Sequence, residues 1–255
     1  MQVVVRSELL ASAGFAHGFS LRYGGVSRAP YESLNLGRSV GDDPQSVADN
    51  HRRLAQAVGY APERLFELGQ VHGRRVRAVA AAELPDAVRA ESGDALCAHQ
   101  AGVVVGIRSA DCLPLLLADP ETRAVAAVHA GWRGTVAGVV PAAVDALRTL
   151  SQAPSTRLLA ALFPHIRSCC FEVGEEVAQQ LSAASRAQDV VLRSQRPKPH
   201  AELSRVVHAQ LLAAGIEPAR VDDVPGCTCC EAARFFSYRR DGQASGRHLA
   251  VIAAG

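Results

Sequence analysis

Two apolar runs on either side of a tight polar turn constrain this chain more than any other feature. Residues 113–118 and 124–128 predict two strands, joined by Asp119-Pro120-Glu121-Thr122. An antiparallel pair with so short a connection brings its open ends together. Cys112, just before the first run, and His129, just after the second, stand 17 positions apart and are expected to face each other at one sheet edge. The chain then continues Ala-Gly-Trp-Arg-Gly-Thr into the apolar segment 136–150. Strand, glycine turn and helix in that order expose backbone N–H groups at a helix start, where an anion can be seated.

Length and composition limit what such a pair can serve. A chain of 255 residues, 48% hydrophobic and 20% charged, has the make-up of a globular protein with a sizeable core. No apolar run approaches the roughly 20 residues that span a bilayer, so no membrane partner is expected. A net charge of +2 without a basic run gives no footprint for nucleic acid. The start, Met-Gln-Val-Val-Val-Arg-Ser, lacks the pattern of a secretory signal, and seven cysteines form an odd set. Both features point to reduced thiols in a cytoplasmic setting.

Along the chain, short strands are expected at residues 2–5, 15–22, 65–71, 77–82, 102–107, 157–162 and 248–253. Asp43-Pro44 is a helix start, a capping side chain followed by proline at the first helical position. Val47, His51, Leu54, Ala55 and Val58 share one face of that helix, which makes His51 a core histidine. Pro141 should bend the helix after Thr135 or mark a second start. Helices are also expected at 174–184 and 202–214, the latter closed by Gly215. Residues 92–101 and 193–200 are expected to be loops. No internal repeat or linker breaks the sequence, so residues 1–255 are expected to form one mixed α/β domain.

Cys112 and His129 admit four readings: inert core residues, a nucleophile with its base, zinc ligands, or part of a copper centre. Catalytic zinc takes three protein ligands, and His72, before a glycine at an expected strand end, is the natural third. Copper is disfavoured. The only methionine is Met1, and no two histidines lie within two positions of each other. Cys227, Cys229 and Cys230 do not furnish the spacer pairs of a zinc knuckle, and Cys169-Cys170 read as small core residues. Arg22, Arg133, Arg239, Arg240 and Arg247 stand near glycine turns or between apolar segments, where forked hydrogen bonds to phosphate or carboxylate are useful.

S-L-R-Y-G-G-V-S from Ser20, S-L-N-L-G from Ser33, V-G-D-D-P from Val40 and Q-V-H-G from Gln70 form an ordered set with four later segments. These are A-D-C-L-P from Ala110, V-H-A-G-W-R-G-T from Val128, F-E-V-G-E-E-V from Phe171 and F-F-S-Y-R-R-D-G from Phe235. Together they resemble the YfiH family, also called the laccase-domain or polyphenol oxidase family, whose members are also named purine nucleoside phosphorylase or peptidoglycan editing factor. The resemblance implies a four-layer α/β/β/α sandwich of mixed sheets, related to cysteine hydrolases such as the catalytic domain of cytotoxic necrotising factor. It implies zinc held by His72, Cys112 and His129. It also implies phosphorolysis of adenosine, inosine, guanosine and methylthioadenosine, and deamination of adenosine. The family's G-P-x-I-G-P-like turn is replaced here by Phe163-Pro164-His165-Ile166-Arg167-Ser168, its Asn-Arg by Asn50-His51, and its Asp-Leu by Glu202-Leu203.

On this basis Cys112 and Asp111 are the catalytic candidates, with Asp94 a second carboxylate for proton transfer. Arg22, Asn35, Gln70, Asp94, Arg133, Arg240 and Arg247 are the candidates for binding nucleoside and phosphate. No glutamate stands in the H-x-E and P-C-x-x-C arrangement of the zinc deaminases. The competing expectations are a metal-free Cys–His hydrolase or deamidase, a copper-dependent polyphenol oxidase, a hydrolase editing peptidoglycan precursors, and a binding protein without turnover.

Overall fold

The computed structural model describes residues 3–185, 189–193 and 197–255. The strands begin with β1 (Val4–Val5), β2 (His17–Ser20), β3 (Leu65–Phe66), β4 (Val76–Ala78), β5 (Ala95–Ala98) and β6 (Val104–Ser109). They continue with β7 (Leu113–Ala118), β8 (Val125–Ala130), β9 (Leu159–Leu162), β10 (Val191–Leu192), β11 (His200–Ala201), β12 (Val221–Asp223) and β13 (His248–Ala253). One five-stranded sheet runs β1-β2-β13-β6-β3, and one six-stranded sheet runs β12-β9-β7-β8-β5-β4. Each mixes directions: β3 is parallel to β6, and β4 is parallel to β5, while β6–β13 and β7–β8 are antiparallel.

Period-two alternation assigns the two faces of the central hairpin. Leu113, Leu115, Leu117, Ala126, Val128 and Ala130 pack with Val140, Val144, Leu147, Leu181 and Val207 of the helices Val139–Ser151, Glu175–Ser185 and Leu203–Ala213. Leu116, Ala118, Val125 and Ala127 face the other way, against Phe19, Val105, Ile107 and Ile252 of the five-stranded sheet. That sheet's outer face, through Val104, Leu249 and Val251, is covered by Leu54 and Val58 of the helix Pro44–Val58. The result is helices, sheet, sheet, helix. Each leucine so enclosed stabilises the fold by about 1.5–3 kcal/mol.

Local chemistry places the helix ends. The Asp43 side chain accepts from the Ser46 N–H at 2.8 Å, Pro44 follows, and Gly59 closes the helix at φ 94°. His51 is buried as expected, with Nε2 3.2 Å from the Leu36 carbonyl. The helix after His129 is broken at Gly138 (φ 89°) into Trp132–Ala137 and Val139–Ser151, with Pro141 in the first turn of the second piece.

Three expectations need correction. Residues 95–98, expected in a loop, form β5, which pairs with β8 and has both faces buried. The strand expected at 65–71 ends at Phe66. Beyond it the Gln70 side chain, not its backbone, pairs with β6: its amide donates to the Arg108 carbonyl (2.7 Å) and accepts from the Arg108 N–H (2.8 Å). That substitution takes the chain off the sheet, so His72 sits in a turn at φ 59° rather than at a strand end. Of the expected loop at 193–200, residues 194–196 lie outside the described residues. Among the described residues no helix is long and apolar enough to cross a membrane.

Candidate metal centre

Asp94, Cys112 and His129 share the parity of the residues that face between the sheets. All three stand at one end of the six-stranded sheet. The register sets Pro114 opposite His129, so Cys112 lies beyond the ladder at the open mouth of the hairpin. These strands are central rather than lateral, and the pair faces at the strand ends. The turn that carries Cys112 is held by the Ser109 hydroxyl, which donates to the Cys112 carbonyl, and by Asp111 at φ 95°. His72 arrives from its own left-handed turn. A non-glycine residue in that region is costly unless its surroundings hold it, and two such residues bracket this site.

The Asp94 carboxylate does the holding. It accepts from the backbone N–H groups of Val71 (3.2 Å), His72 (2.9 Å) and Gly73 (2.7 Å), and from Nδ1 of His129 at 2.8 Å. One fully buried side chain thus fixes the His72 turn and turns Nε2 of His129 toward the centre. Burial works against the charge on Asp94, but the bonds from His129 and the Gly73 and His72 N–H groups outweigh it and hold the carboxyl below its usual range.

The donor atoms of His72, Cys112 and His129 all lie within 4.8 Å of one another. Cys112 Sγ is 3.8 Å from Nε2 of His72, and the two imidazole rings are 4.8 Å apart at 70°. Burial opposes ionisation of both Cys112 and His129. The attraction between thiolate and imidazolium, with hydrogen bonds from His72 and to Asp94, overrides it: the thiol is pulled below its ordinary value and the imidazole is pushed above its own. Gly131 allows the approach, because a Cβ there would stand 2.9 Å from Cys112 Sγ and 3.0 Å from His72 Cδ2.

A cavity of about 760 Å³ opens over this cluster, within the range of small-molecule sites. Its wall includes Gln70, Asp111, Arg133, Arg239 and Arg247 from the sequence candidates, together with His72, Cys112 and His129, of which His72 is exposed and His129 buried. Arg133 is exposed and its guanidinium lies 4.3 Å over the Trp132 ring. Arg247 donates to the carbonyls of Ser245 (2.6 Å) and Gly246 (3.0 Å). The helix starting at Trp132 is only six residues long, so the anion seat expected there reduces to a short turn beside the Arg133 side chain.

Other candidates lie elsewhere. Arg22 donates to the carbonyls of Glu32 and Ala232 and stacks on Phe236 at 4.8 Å. Arg240 donates to the carbonyls of Thr228, Cys229 and Phe235 and pairs with Asp241. Asn35 accepts from the N–H groups of Gly37 and Arg247. Asp94 lies behind the wall. Asp111 reaches the wall with both oxygens engaged: Thr228 Oγ1 and the Arg239 N–H each donate to it at 2.6 Å. The residues missed from sequence are Arg108, Trp132, Phe171 and Tyr238. The last three stand inside motifs already singled out, and Arg108 precedes Ser109 at the end of β6.

Known proteins resemble this one along almost its whole length. A purine nucleoside phosphorylase of Deinococcus radiodurans is 42% identical over 236 residues, 92% of this chain and 88% of that one. A protein named adenosine deaminase RL5, from an unknown prokaryotic organism, is 37% identical over 242 residues, 92% of each. The crystal structure of YlmD from Geobacillus stearothermophilus superposes with a TM-score of 0.88 at 34% identity, covering 95% of this chain and 92% of that one. Residues 16–255 match the family model described as multi-copper polyphenol oxidoreductase laccase, and the chain belongs to that laccase-domain family.

Proposed function

We propose that this protein is a zinc enzyme acting on purine nucleosides, with phosphorolysis as its main reaction and adenosine deamination as a second. The observation that carries the reading is the convergence of two imidazoles and one thiol on the wall of an open cavity. That donor set fits zinc: borderline-soft ligands, three from the protein, with a position left toward the cavity. His129 also has the carboxylate-backed Nδ1 that metal-binding histidines use. When bound, the ion supplies a Lewis acid facing the cavity.

The chain's own residues supply the rest. Trp132, Phe171 and Tyr238 offer flat apolar walls for a purine. Arg133, exposed on the cavity wall, balances the charge of phosphate as it approaches the sugar, whereas the Arg108 guanidinium is held by Glu67 at 2.8 Å and that of Arg247 by the Ser245 and Gly246 carbonyls. Asp111 acts as a positioning residue, because both of its oxygens already hold Thr228 and Arg239. The nucleoside assignment rests on the names of the relatives, which include both phosphorylase and deaminase.

A second reading is favoured by one observation. Cys112, His129 and Asp94 also have the order of a nucleophile, base and orienting carboxylate. The test is zinc content beside turnover of adenosine and inosine with and without phosphate. Zinc that is lost in Cys112→Ala, slow alkylation of Cys112 and phosphate-dependent release of purine base support the first reading. A metal-free, active protein whose Cys112 alkylates rapidly would replace it with the thiol hydrolase.

A further inference from the structure

A second cluster of donors lies outside the cavity. The sulfur atoms of Cys169, Cys170, Cys227 and Cys230 all lie within 4.8 Å of one another. Cys170 and Cys230 are 3.1 Å apart, Cys169 and Cys230 3.3 Å, and Cys169 and Cys227 3.5 Å. Four thiolates around zinc at about 2.3 Å each sit about 3.8 Å apart, a value inside the observed spread. Of the two cysteines expected in the core, Cys169 is exposed, while Cys170 is half-buried and packs against the core of helices and sheet. Cys227 and Cys230 have two residues between them, the single C-x2-C spacer of this chain, and the adjacent pair Cys169-Cys170 supplies the other two donors.

The backbone around the cluster is arranged to hold it. The Arg167 N–H points to Cys227 Sγ at 3.5 Å, an N–H···S contact suited to a thiolate ligand. His165 bridges to Cys227, the Thr228 N–H donates to the His165 carbonyl at 3.1 Å, and Arg167 Nε donates to the Gly226 carbonyl at 3.2 Å. Two segments far apart in sequence are thereby aligned with their cysteines facing. Arg167 and Glu202 meet here: Arg167 lies 3.8 Å from Glu202 and 2.5 Å from Asp223.

We propose that Cys169, Cys170, Cys227 and Cys230 form a second, four-sulfur zinc site that staples these two segments together. The thiols bind as thiolates, each giving its proton to solvent. Four protein donors leave no position for a reactant, so the site is structural. Its influence reaches the cavity through the segments it joins. Ile166 and Phe171 line the wall, Thr228 lies inside the Cys227–Cys230 chelate loop, and its hydroxyl holds Asp111 beside Cys112. This inference is independent of the nucleoside reading.

The test counts metal in the full chain, purified under reducing conditions with zinc present. About two zinc ions per chain are expected, falling to about one in Cys230→Ser, about one in Cys112→Ala, and none in the double variant. With cobalt in place of zinc, Cys112→Ala should keep the intense thiolate charge-transfer band of a four-sulfur tetrahedral site. Where Cys230→Ser does not fold, chelator titration of the wild-type protein serves instead, and two kinetically distinct releases of zinc are expected. Metal-free Cys112→Ala, or wild-type protein in which these cysteines are found as disulfides and release no second ion, would overturn the site.

Discussion

The two donor clusters of this molecule use the same chemistry to opposite ends. The inner one has three donors, two nitrogens and a sulfur, presented by strand ends and turns below a cavity of about 760 Å³. The outer one has four sulfurs on loops and no cavity residue among its donors. The anchoring differs as well. His72 and His129 are anchored through one buried carboxylate, Asp94, whereas the outer sulfurs are aligned by loop-to-loop backbone bonds. On the zinc reading proposed above, the contrast would separate a reactive centre from a structural one: three donors held by the fold beside a cavity, against four donors that close the site.

The largest break in this contrast should come from Cys112→Ala. Activity should fall to background and the inner ion should be lost, while the outer zinc stays, as read by metal analysis and nucleoside turnover. Retained activity would mean that the inner thiol is not needed.

Asp94→Asn should come next. The amide keeps the shape but cannot accept from three backbone N–H groups and His129 with a full charge, so inner-site affinity should drop about 10–100-fold in competition with a chelator. An equal loss at the outer site would dissolve the distinction.

Gly131→Ala sharpens the geometry. A methyl 2.9 Å from Cys112 Sγ must displace the sulfur or the His72 ring, so overpacking should cost about 1–3 kcal/mol in urea unfolding and weaken the inner site. Unchanged stability would show that the approach is looser than the structure has it.

The smallest effect separates the site histidines from the buried ones. Burial lowers His51 to about 4 and His248 to about 3, so both stay neutral in the fold while the unfolded chain protonates near the ordinary 6.5. The unfolded state then binds more protons, so stability is full above 6.5 and falls as pH drops toward 4. The slope is at most about 1.4 kcal/mol per pH unit for each histidine. Urea midpoints at saturating zinc should show it between pH 6.5 and 5.5, with a shallower slope in His51→Gln. An unchanged slope in that variant would remove His51 from the account.

Much of the inner site was legible because it follows from short-range rules. A hairpin with a short turn sets Cys112 beside His129, and period two puts Asp94 on their side of the sheet once β5 is recognised. That strand was hard to see because Ala95-Leu96-Cys97-Ala98 is short and lacks β-branched residues; its pairing with Val125–Ala130 makes it a strand. Gln70 is a similar case. Nothing local says that its side chain will take a backbone's place beside Arg108. The arginines divide on the same ground, since Arg22 and Arg240 find carbonyls to hold whereas Arg133 is left at the cavity rim.

By itself the sequence determined the apolar hairpin, the capped helix at Asp43-Pro44, the core role of His51 and the facing of Cys112 and His129 across the hairpin mouth. Each depends on neighbours a few residues away or on alternation along a strand. Tertiary structure alone decided that Cys169 and Cys170 meet Cys227 and Cys230, that Asp94 holds two donors at once, and which arginines reach the cavity. Those outcomes depend on where loops far apart in the chain come to rest, and that position is set by the packing of two sheets.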